Sequence, residues 1–453
     1  MSPWITSALP ARPNPSAEIR PAVIGLLRLI GPVYFHRLLG FRSMDFRHAD
    51  RLVNAYGDFF AGRTRLMIAF RHPYGEEPQL LAYALAVALP REARKLGVSF
   101  PRMPHAHYVY GYEVPLWGDA FQRWVLPRVG AVPVYHTKFD GPSMDRIRSV
   151  MKDGAYPLAL SPEGQVSYSS EEVPRLEQGA VRIGFWCAED LAKEGRGEET
   201  VILPVSIHYR WPRAAEKRLD GYLAGMERAC GIPVLTGAAP FDRLSSVADR
   251  VLALMEGHYA RFYGAPLPQA GSRAQRLEAV REAALQAAER TLCIRPEGDA
   301  IRRVYRIRQT GWDRIFRTDL GDLERLPALE RRMADRLAAE AWLACRHMEL
   351  VDLAWYLDFD RLRRTDPLEI LIETAQNYGD LIHRLQGGQF ADRDLIPGKS
   401  ALVVAGEGIR VGGSLERYRA GRRGAIEDLT RTLEASYVDC IREIREERRT
   451  GAS

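Results

Sequence analysis

The chain has 453 residues, of which 46% are hydrophobic and 27% charged, and it carries a formal net charge of +6 at pH 7. This composition excludes a disordered or fibrous protein, and the length suffices for two or three domains. The five cysteines are scattered and never in a CxxC spacing, which argues for a reducing compartment and against a disulfide framework or a zinc site. The excess of positive charge is consistent with binding to nucleic acid, to an anionic membrane or to an anionic substrate. No nucleic-acid motif accompanies it, so the last two are favoured.

The N-terminal segment contains four prolines before residue 20 and no uninterrupted apolar core, so we expect no secretory signal. Residues 1–20 are predicted to form a mobile tail. The run Pro21–Phe41 is apolar, but Arg28 and Arg37 interrupt it, which makes it a poor membrane-spanning helix. It favours an amphipathic helix that lies against either a membrane interface or the protein core. Residues 1–48 are therefore predicted to be an N-terminal tail and amphipathic helix.

Short apolar runs alternate with helical stretches between residues 49 and 212, which is the pattern of an α/β domain. Several of these runs are continuously apolar, as in the central strands of a mainly parallel sheet. The predicted helices are at about 79–96, 119–128, 141–152 and 175–194. The predicted strands are Leu66–Phe70, Tyr108–Tyr110, Ala131–Tyr135, Tyr156–Leu160 and Val201–His208.

The composition changes at about residue 213, where Ala, Leu, Glu and Arg begin to recur at helical spacing. Another strand is predicted at 401–409, followed by a helix at about 423–447. We therefore predict that 213–397 is a large all-helical insertion and that 398–447 rejoins the α/β domain. A competing strand candidate, Ile232–Gly237, would instead make the helical region a C-terminal appendage.

Two short segments combine side chains suited to catalysis with the ends of predicted strands. His72 follows the strand Leu66–Phe70, and Glu77 lies five positions later at the start of a helix. Ligands bind at strand ends in α/β sheets, and an imidazole oriented by a carboxylate can activate a hydroxyl or a water. The second segment, Ser161–Gln165, follows the strand Tyr156–Leu160 and has the sequence Ser-Pro-Glu-Gly-Gln.

These segments resemble the first and third sequence blocks of the glycerolipid acyltransferase family, which includes the bacterial lysophosphatidic acid acyltransferases. The family's first block is a His, four residues and an Asp, and its third is an apolar strand followed by Phe-Pro-Glu-Gly. Val129–Val134 is similar to the second block, a glycine followed by a short apolar strand. Val201–Ser206 is similar to the fourth, a strand with an embedded proline. The four patterns span residues 65 to 210 in the family's order and spacing, which is hard to obtain by chance.

The resemblance implies a glycerol-phosphate acyltransferase-like fold and an activity in phospholipid biosynthesis. A fatty acyl group would pass from acyl-CoA or acyl carrier protein to a hydroxyl of a lysophospholipid or glycerol-phosphate-type acceptor. His72 would be the general base. Glu77 would orient it in place of the family's Asp, with Glu76 as the alternative. The resemblance implies neither a metal nor a bound cofactor. The late Gly406-Glu407-Gly408 is similar to the Gly-Glu-Pro that ends a strand in the family.

The resemblance also implies substrate contacts in the second, third and fourth blocks. Glu163 would contact acceptor hydroxyls while Gly164 permits close approach of the backbone. The other predicted substrate-binding residues are Pro162, Gln165, His136, Lys138 and Pro204.

Two cationic positions of the family are changed here: His136 stands where the family has Arg, and Gln165-Val166 where it has Thr-Arg. Lys138, Arg175 or Arg182 could substitute. The alternatives are therefore an acyltransferase for a non-glycerolipid acceptor, or a non-catalytic lipid-binding or scaffold protein on the same fold.

Because acceptor and product would be lipids, we expect a cytoplasmic protein with a peripheral contact at the cytoplasmic face of a membrane. The sequence predicts no nucleic-acid partner and leaves the oligomeric state open. The pair His105 and His107 could bind a metal, but a structural role is favoured because no third ligand is evident at useful spacing. A second Pro-Glu-Gly, in Arg295–Gly298, follows a helix rather than a strand and is predicted to be a plain turn.

Overall fold

The computed structural model describes residues 4–10, 18–118, 120–135, 141–268, 270–357, 362–388 and 393–450. The chain divides into two compact units. One, here called the α/β unit, consists of Pro15–Pro212 and Pro397–Ser453. The other, here called the helical unit, consists of Met1–Asn14 and Arg213–Ile396.

The strands of the described residues form one large sheet in the α/β unit and one two-stranded pair in the helical unit. In chain order they are β1 Leu9–Pro10, β2 Met44–Arg47, β3 Thr64–Phe70, β4 His107–Gly111, β5 Val132–Val134, β6 Leu158–Leu160, β7 Glu199–Arg210, β8 Phe316–Arg317, β9 Ser400–Ala405 and β10 Ile409–Arg410. The large sheet has eight strands in the order β2-β9-β7-β3-β6-β4-β5, with β10 also paired to β7. The prediction of an α/β fold with a mainly parallel sheet flanked by helices is confirmed.

The helices of the α/β unit are α1 Pro21–Val33, α2 Ala49–Phe60, α3 Glu77–Tyr83, α4 Leu89–Lys95, α5 Val114–Trp117, α6 Ala120–Arg128, α7 Gly141–Asp153 and α8 Gly179–Lys193. Those of the helical unit are α9 Ala215–Ala229, α10 Pro240–Tyr263, α11 Arg273–Thr291, α12 Ala300–Ile315, α13 Ala328–Ala354 and α14 Leu368–Leu385. After β10 the α/β unit continues with two further helices, α15 Leu415–Ala420 and α16 Arg422–Thr450. Helix α1 continues as a π-helical turn at Tyr34–Leu38, and a second π-helical turn, Ala84–Ala88, joins α3 to α4. None of the helices in the described ranges is both long and apolar enough to cross a bilayer.

The parallel part of the sheet brings two strand ends together. Strands β7, β3, β6, β4 and β5 run in the same direction, whereas β9 and β2 run opposite to them. Ala69, near the end of β3, is the register partner of Leu160, the last residue of β6. The segments that follow β3 and β6 therefore emerge side by side at one edge of the sheet, where ligands bind in folds of this kind.

Apolar burial fixes this edge in place. Met67, Ile68 and Ala69 of β3 are fully buried, and helices α8 and α16 contribute to the same apolar cluster as Met67 and Ala69. Each fully buried large apolar side chain stabilises the fold by about 1.5–3 kcal/mol relative to exposure. Tyr437 of α16 also donates a hydrogen bond to the carbonyl oxygen of Ala69 at 2.8 Å. The last helix of the chain thus supports the strand that precedes His72.

The segment after the helical unit supplies an internal strand of the large sheet. Strand β9 lies between β2 and β7, and it pairs with β7 from Val205 to Arg210. The competing strand candidate, residues 232–237, forms a turn-containing connection between α9 and α10.

Pro204 lies in β7 where its hydrogen-bonding pattern is interrupted. Beyond Pro204, β9 pairs with β7, and before it β10 pairs with Ile202 and Val201. The chain between β9 and β10 passes Pro204, whose carbonyl accepts a hydrogen bond from Gly406 N at 2.9 Å. A proline is tolerated inside a sheet where the ladder is broken, because its missing N–H is not needed there.

The first described residues differ from the predicted mobile tail. Leu9 and Pro10 form β1, which pairs in parallel with β8 of the helical unit. Ala8 is buried, and its N–H donates to the Asp335 carboxylate at 2.8 Å. A proline-rich composition indicates little regular structure, but it carries no information about this tertiary pairing.

Candidate active site

The end of β3 carries His72 to the edge of the sheet. Arg71 N donates to Val205 O at 2.9 Å, which extends the pairing with β7 by one residue beyond β3. The chain then turns through Gly75, whose φ of +99° favours glycine, and α3 begins at Glu77. The tight turn between β3 and α3 brings the Glu77 side chain into contact with the His72 ring.

His72 and Glu77 form a hydrogen-bonded pair. The distance from His72 Nδ1 to Glu77 Oε2 is 2.7 Å. The Glu77 side chain is fully buried, whereas 19% of the His72 side chain remains exposed. The structure therefore brings together the two residues predicted to be catalytic, and leaves part of the imidazole open to a substrate.

Three further donors hold the Glu77 carboxylate. The main-chain N–H groups of Tyr74 and Gly75 donate to it at 3.0 and 2.8 Å, and the Tyr209 hydroxyl donates to Oε1. Burial by itself raises the pKa of Glu77, but the hydrogen bond and charge of His72, together with the Tyr209 and main-chain donors, bring that pKa below its ordinary value. Glu77 is therefore ionised at neutral pH.

The ionised carboxylate fixes the tautomer of His72. Since a carboxylate only accepts hydrogen bonds, Nδ1 of His72 carries the hydrogen that it donates to Glu77. In the neutral ring the lone pair is then on Nε2, the nitrogen that can take a proton from a hydroxyl or a water. When His72 becomes an imidazolium, Glu77 stabilises the new positive charge.

Glu163 contacts the protein segment that carries His72. Its Oε2 accepts a hydrogen bond from the main-chain N–H of His72 at 2.8 Å, and its Oε1 pairs with Arg71 Nε at 2.9 Å. Neither the Glu163 side chain nor that of Arg71 is exposed. Each carboxylate oxygen thus accepts a hydrogen bond from the segment that carries His72, so Glu163 positions the main chain of His72, and its contact with acceptor hydroxyls stays a prediction.

Arg71 joins the segment that carries His72 to the segment that carries Glu163, and it was not predicted from sequence. Besides Glu163, its guanidinium donates to the carbonyl oxygens of Ser170, Ser169 and Glu172. A buried arginine with this many partners is held rigidly, since its planar donor set matches the carboxylate and the carbonyls. A sequence offers no signal for it, because an arginine before a strand-end histidine usually faces solvent.

The loop after β6 lies next to His72. Gly164 adopts a φ of +74°, which favours glycine, and its N–H donates to Ser161 O at 3.3 Å. Pro162 is buried, and its carbonyl accepts from Glu177 N at 2.7 Å. Ser167 N donates to His72 O at 2.9 Å, which joins this loop to the segment that carries His72. Gln165 is half-buried in the same loop.

The other residues predicted to contact substrate lie in several different parts of the chain. Pro204 is buried in β7, where it is the register partner of Ala69 in β3. His136 and Lys138 lie outside the described residues. Arg175 is exposed before α8, and Arg182 donates to the Gln178 side chain at 3.1 Å.

The histidine pair considered as a metal site makes main-chain contacts. The His105 ring is hydrogen-bonded to Val129 O at 2.8 Å and the His107 ring to Gly130 O at 3.0 Å. Burial lowers the pKa of His105 to about 4, and it lowers that of His107 as well. These contacts join β4 to the connection between α6 and β5.

Comparison with known proteins does not identify the family. No protein-family model matches the chain, and no curated protein matches it.

Proposed function

We propose that this chain is an acyltransferase that moves a fatty acyl group from acyl-CoA or acyl carrier protein to a hydroxyl of a lysophospholipid or glycerol-phosphate-type acceptor. The observation that carries the proposal is the His72–Glu77 pair, with a Nδ1–Oε2 distance of 2.7 Å at the carboxyl end of β3. The partly exposed imidazole and the fully buried carboxylate are what an acyl transfer without a covalent enzyme intermediate requires.

The reaction uses His72 as a base and then as an acid. Its Nε2 takes the proton of the acceptor hydroxyl while the hydroxyl oxygen attacks the thioester carbonyl carbon. The resulting tetrahedral intermediate collapses as the carbon–sulfur bond breaks, and the thiol leaves with the proton from Nε2. Glu77 stabilises the imidazolium between these steps. General base catalysis of this kind contributes a rate factor of about 10²–10⁴.

A second group of residues supports a peripheral membrane contact. Leu26, Leu29 and Val33 of α1 and Leu38 of the π-helical turn are exposed, with Leu29 at 77%. Exposed Phe121 and Trp124 belong to α6, and main-chain bonds from Glu18 N to Pro127 O and from Arg20 N to Arg128 O hold the start of α1 against the end of α6.

The charges around this apolar surface favour an anionic bilayer as its partner. Residues 20–42 contain four arginines and neither Asp nor Glu, and α6 contains two more arginines without an acid. Leucine and tryptophan on one side of a basic helix bind the interface between lipid headgroups and acyl chains. We refer to Leu26, Leu29, Val33, Leu38, Phe121 and Trp124 as the apolar surface.

The activity is tested with the purified full-length chain, labelled acyl-CoA or acyl carrier protein, and a panel of lysophospholipids, glycerol phosphate and non-phosphorylated alcohols. We expect labelled product with at least one lysophospholipid or glycerol-phosphate acceptor and its loss in His72→Ala. Turnover with only non-glycerolipid alcohols would replace the acceptor class. Release of free fatty acid without acyl transfer would make the enzyme a hydrolase, and turnover that survives His72→Ala would overturn the catalytic assignment.

A further inference from the structure

A buried lysine lies behind the catalytic pair. Lys399 is 1% exposed, and its Nζ is paired with the Glu76 carboxylate. Glu76 is the acid that immediately precedes Glu77, and it was the alternative candidate for orienting His72. A buried ammonium group loses most of its hydration, so it is found where protein groups replace the lost water.

Three aromatic rings surround the same ammonium group. Lys399 Nζ is 4.8 Å from the ring centroid of Phe41, 5.1 Å from that of Tyr74 and 4.9 Å from that of Tyr209. The Tyr74 and Tyr209 rings also contact each other, with their centroids 4.3 Å apart. At these distances each ring attracts the cation through its negative face.

The backbone of Lys399 is itself fixed. Its carbonyl accepts from Arg42 N at 2.8 Å, and the N–H of the preceding Gly398 donates to Gly40 O at 2.8 Å. The next residues form β9, an internal strand of the sheet. The ammonium group is therefore presented from a rigid element, not from a mobile loop.

Three of the four groups described above as holding Lys399 are directly connected to Glu77. Tyr209 donates its hydroxyl to Glu77 Oε1, Tyr74 donates its main-chain N–H to the same oxygen, and Glu76 is the neighbour of Glu77 in the chain. A shift of the ammonium group would move two of the donors that keep the Glu77 carboxylate on His72.

We infer that Lys399 is a positioning residue for the His72–Glu77 pair. Its ammonium group holds Glu76, Tyr74 and Tyr209 in one arrangement, and this arrangement directs the Glu77 carboxylate at Nδ1 of His72. Lys399 does not touch the reacting atoms. Its contribution to turnover rests on the proposed acyl transfer, whereas its effect on the imidazole of His72 does not.

The test separates positioning from the general cost of a buried charge. Lys399→Met alone leaves Glu76 without its ammonium partner, so the double variant Lys399→Met/Glu76→Gln removes both charges together. The control is Lys152→Met/Glu194→Gln, which removes a more exposed lysine–glutamate pair that links α7 to the residue after α8. The ring nitrogens of His72 are observed by NMR at alkaline pH in full-length protein labelled at the histidine nitrogens, with His72→Asn to assign the signals.

The tautomer of His72 reports the mechanism. In the wild-type protein the Glu77 carboxylate accepts a hydrogen bond from Nδ1 of His72, so the neutral ring carries its hydrogen on Nδ1. A displaced Glu77 no longer fixes this tautomer, and the share of rings with the hydrogen on Nε2 then rises.

We expect the double variant at Lys399 and Glu76 to show this change of tautomer, together with a kcat about 10- to 100-fold lower at a similar KM, the size of effect that misplaced catalytic groups cause. The control pair should change neither. A folded double variant with an unchanged His72 tautomer overturns the inference, whatever its activity. If wild type has no acyltransferase activity but the tautomer changes as expected, the proposed function fails while the positioning role stands.

Discussion

Glu163 accepts a hydrogen bond from the main-chain N–H of His72 at 2.8 Å, although the two residues are 91 positions apart in the chain. The carboxylate reaches across from the end of β6 to the end of β3, and on its other oxygen it pairs with Arg71. The Pro-Glu-Gly segment is therefore a support for the residue that would act as base. This relationship explains why a glutamate is needed there without requiring that it touch a substrate.

The first prediction concerns this support. Glu163→Ala leaves the Arg71 guanidinium buried without its carboxylate and removes the acceptor of His72 N. Breaking one partner of a buried ion pair costs about 3–5 kcal/mol of unfolding free energy. We expect a loss of this size in urea unfolding followed by circular dichroism.

The chain contains a matched control for this experiment. Glu297, in the second Pro-Glu-Gly, is exposed, and its nearest cationic atom is Arg306 NH1 at 3.6 Å. Exposed pairs of this kind contribute about 0–1 kcal/mol, so Glu297→Ala should be nearly neutral. Equal effects of the two substitutions would contradict the supporting role of Glu163.

The second prediction concerns the orientation of His72. In Glu77→Gln the neutral amide no longer stabilises an imidazolium, and its nitrogen cannot accept the hydrogen bonds that Glu77 accepts from His72 Nδ1 and from the main-chain N–H groups of Tyr74 and Gly75. We expect kcat to fall by about 10²–10⁴-fold, the contribution of a general base, with little change in KM. Steady-state kinetics with labelled acyl-CoA measure both constants. Retained kcat in Glu77→Gln would show that the pair does not act as described.

Much of this arrangement could be predicted because it follows local patterns. Continuous apolar runs predicted the strands, and His72 and Glu77 lie within one strand-to-helix connection. Strand β2 was missed because Met44–Arg47 has two charged residues among four and carries no apolar run. The predicted helix 79–96 is interrupted by the π-helical turn Ala84–Ala88, a change of hydrogen-bond register that composition does not indicate.

The residues that sequence reasoning missed act over long separations. Tyr209 and Lys399 lie close together because β7 and β9 are neighbours in the sheet, and Arg71 reaches Glu163 because β3 and β6 are neighbours. Lysine and arginine side chains are usually exposed in proteins. The residue types at positions 71 and 399 therefore predict exposed side chains, whereas both are buried. Glu163 was identified, but the direction in which its side chain points depends on Arg71, whose position no local pattern provides.

The third prediction is a dependence of stability on pH. His208 is buried in β7, where burial, assisted by the positive charge of Arg71, lowers its pKa to about 3. The unfolded chain takes up a proton at this histidine near pH 6.5, whereas the folded protein keeps it neutral down to about pH 3. Because the unfolded state binds more protons in that window, His208 makes stability fall as the pH decreases, by up to about 1.4 kcal/mol per pH unit.

Replacing this imidazole should flatten the dependence. We expect His208→Asn to reduce the slope of the unfolding free energy between pH 6 and pH 5, measured by urea unfolding, even if the variant is less stable overall. His48→Asn serves as the control, since about a third of the His48 side chain is exposed and it pairs with Glu443. The same slope in wild type and His208→Asn would show that His208 is protonated in the folded protein.

The fourth prediction concerns the apolar surface. Leu29 and Val33 are 77% and 63% exposed on α1 in a segment whose charged residues are all arginines. Burying one leucine in an apolar medium is worth about 1.5–3 kcal/mol, so Leu29→Ser/Val33→Ser should weaken binding to vesicles that contain phosphatidylglycerol by about 10- to 100-fold or more. Because both side chains are already exposed, the unfolding free energy should change little.

Leu329→Ser is the matched control, since Leu329 is 75% exposed on α13 of the helical unit. Co-sedimentation with vesicles measures the partitioning. If both variants bind as wild type does, α1 is not the membrane contact, and if the control loses as much binding as the α1 variant, the contact does not depend on the apolar surface.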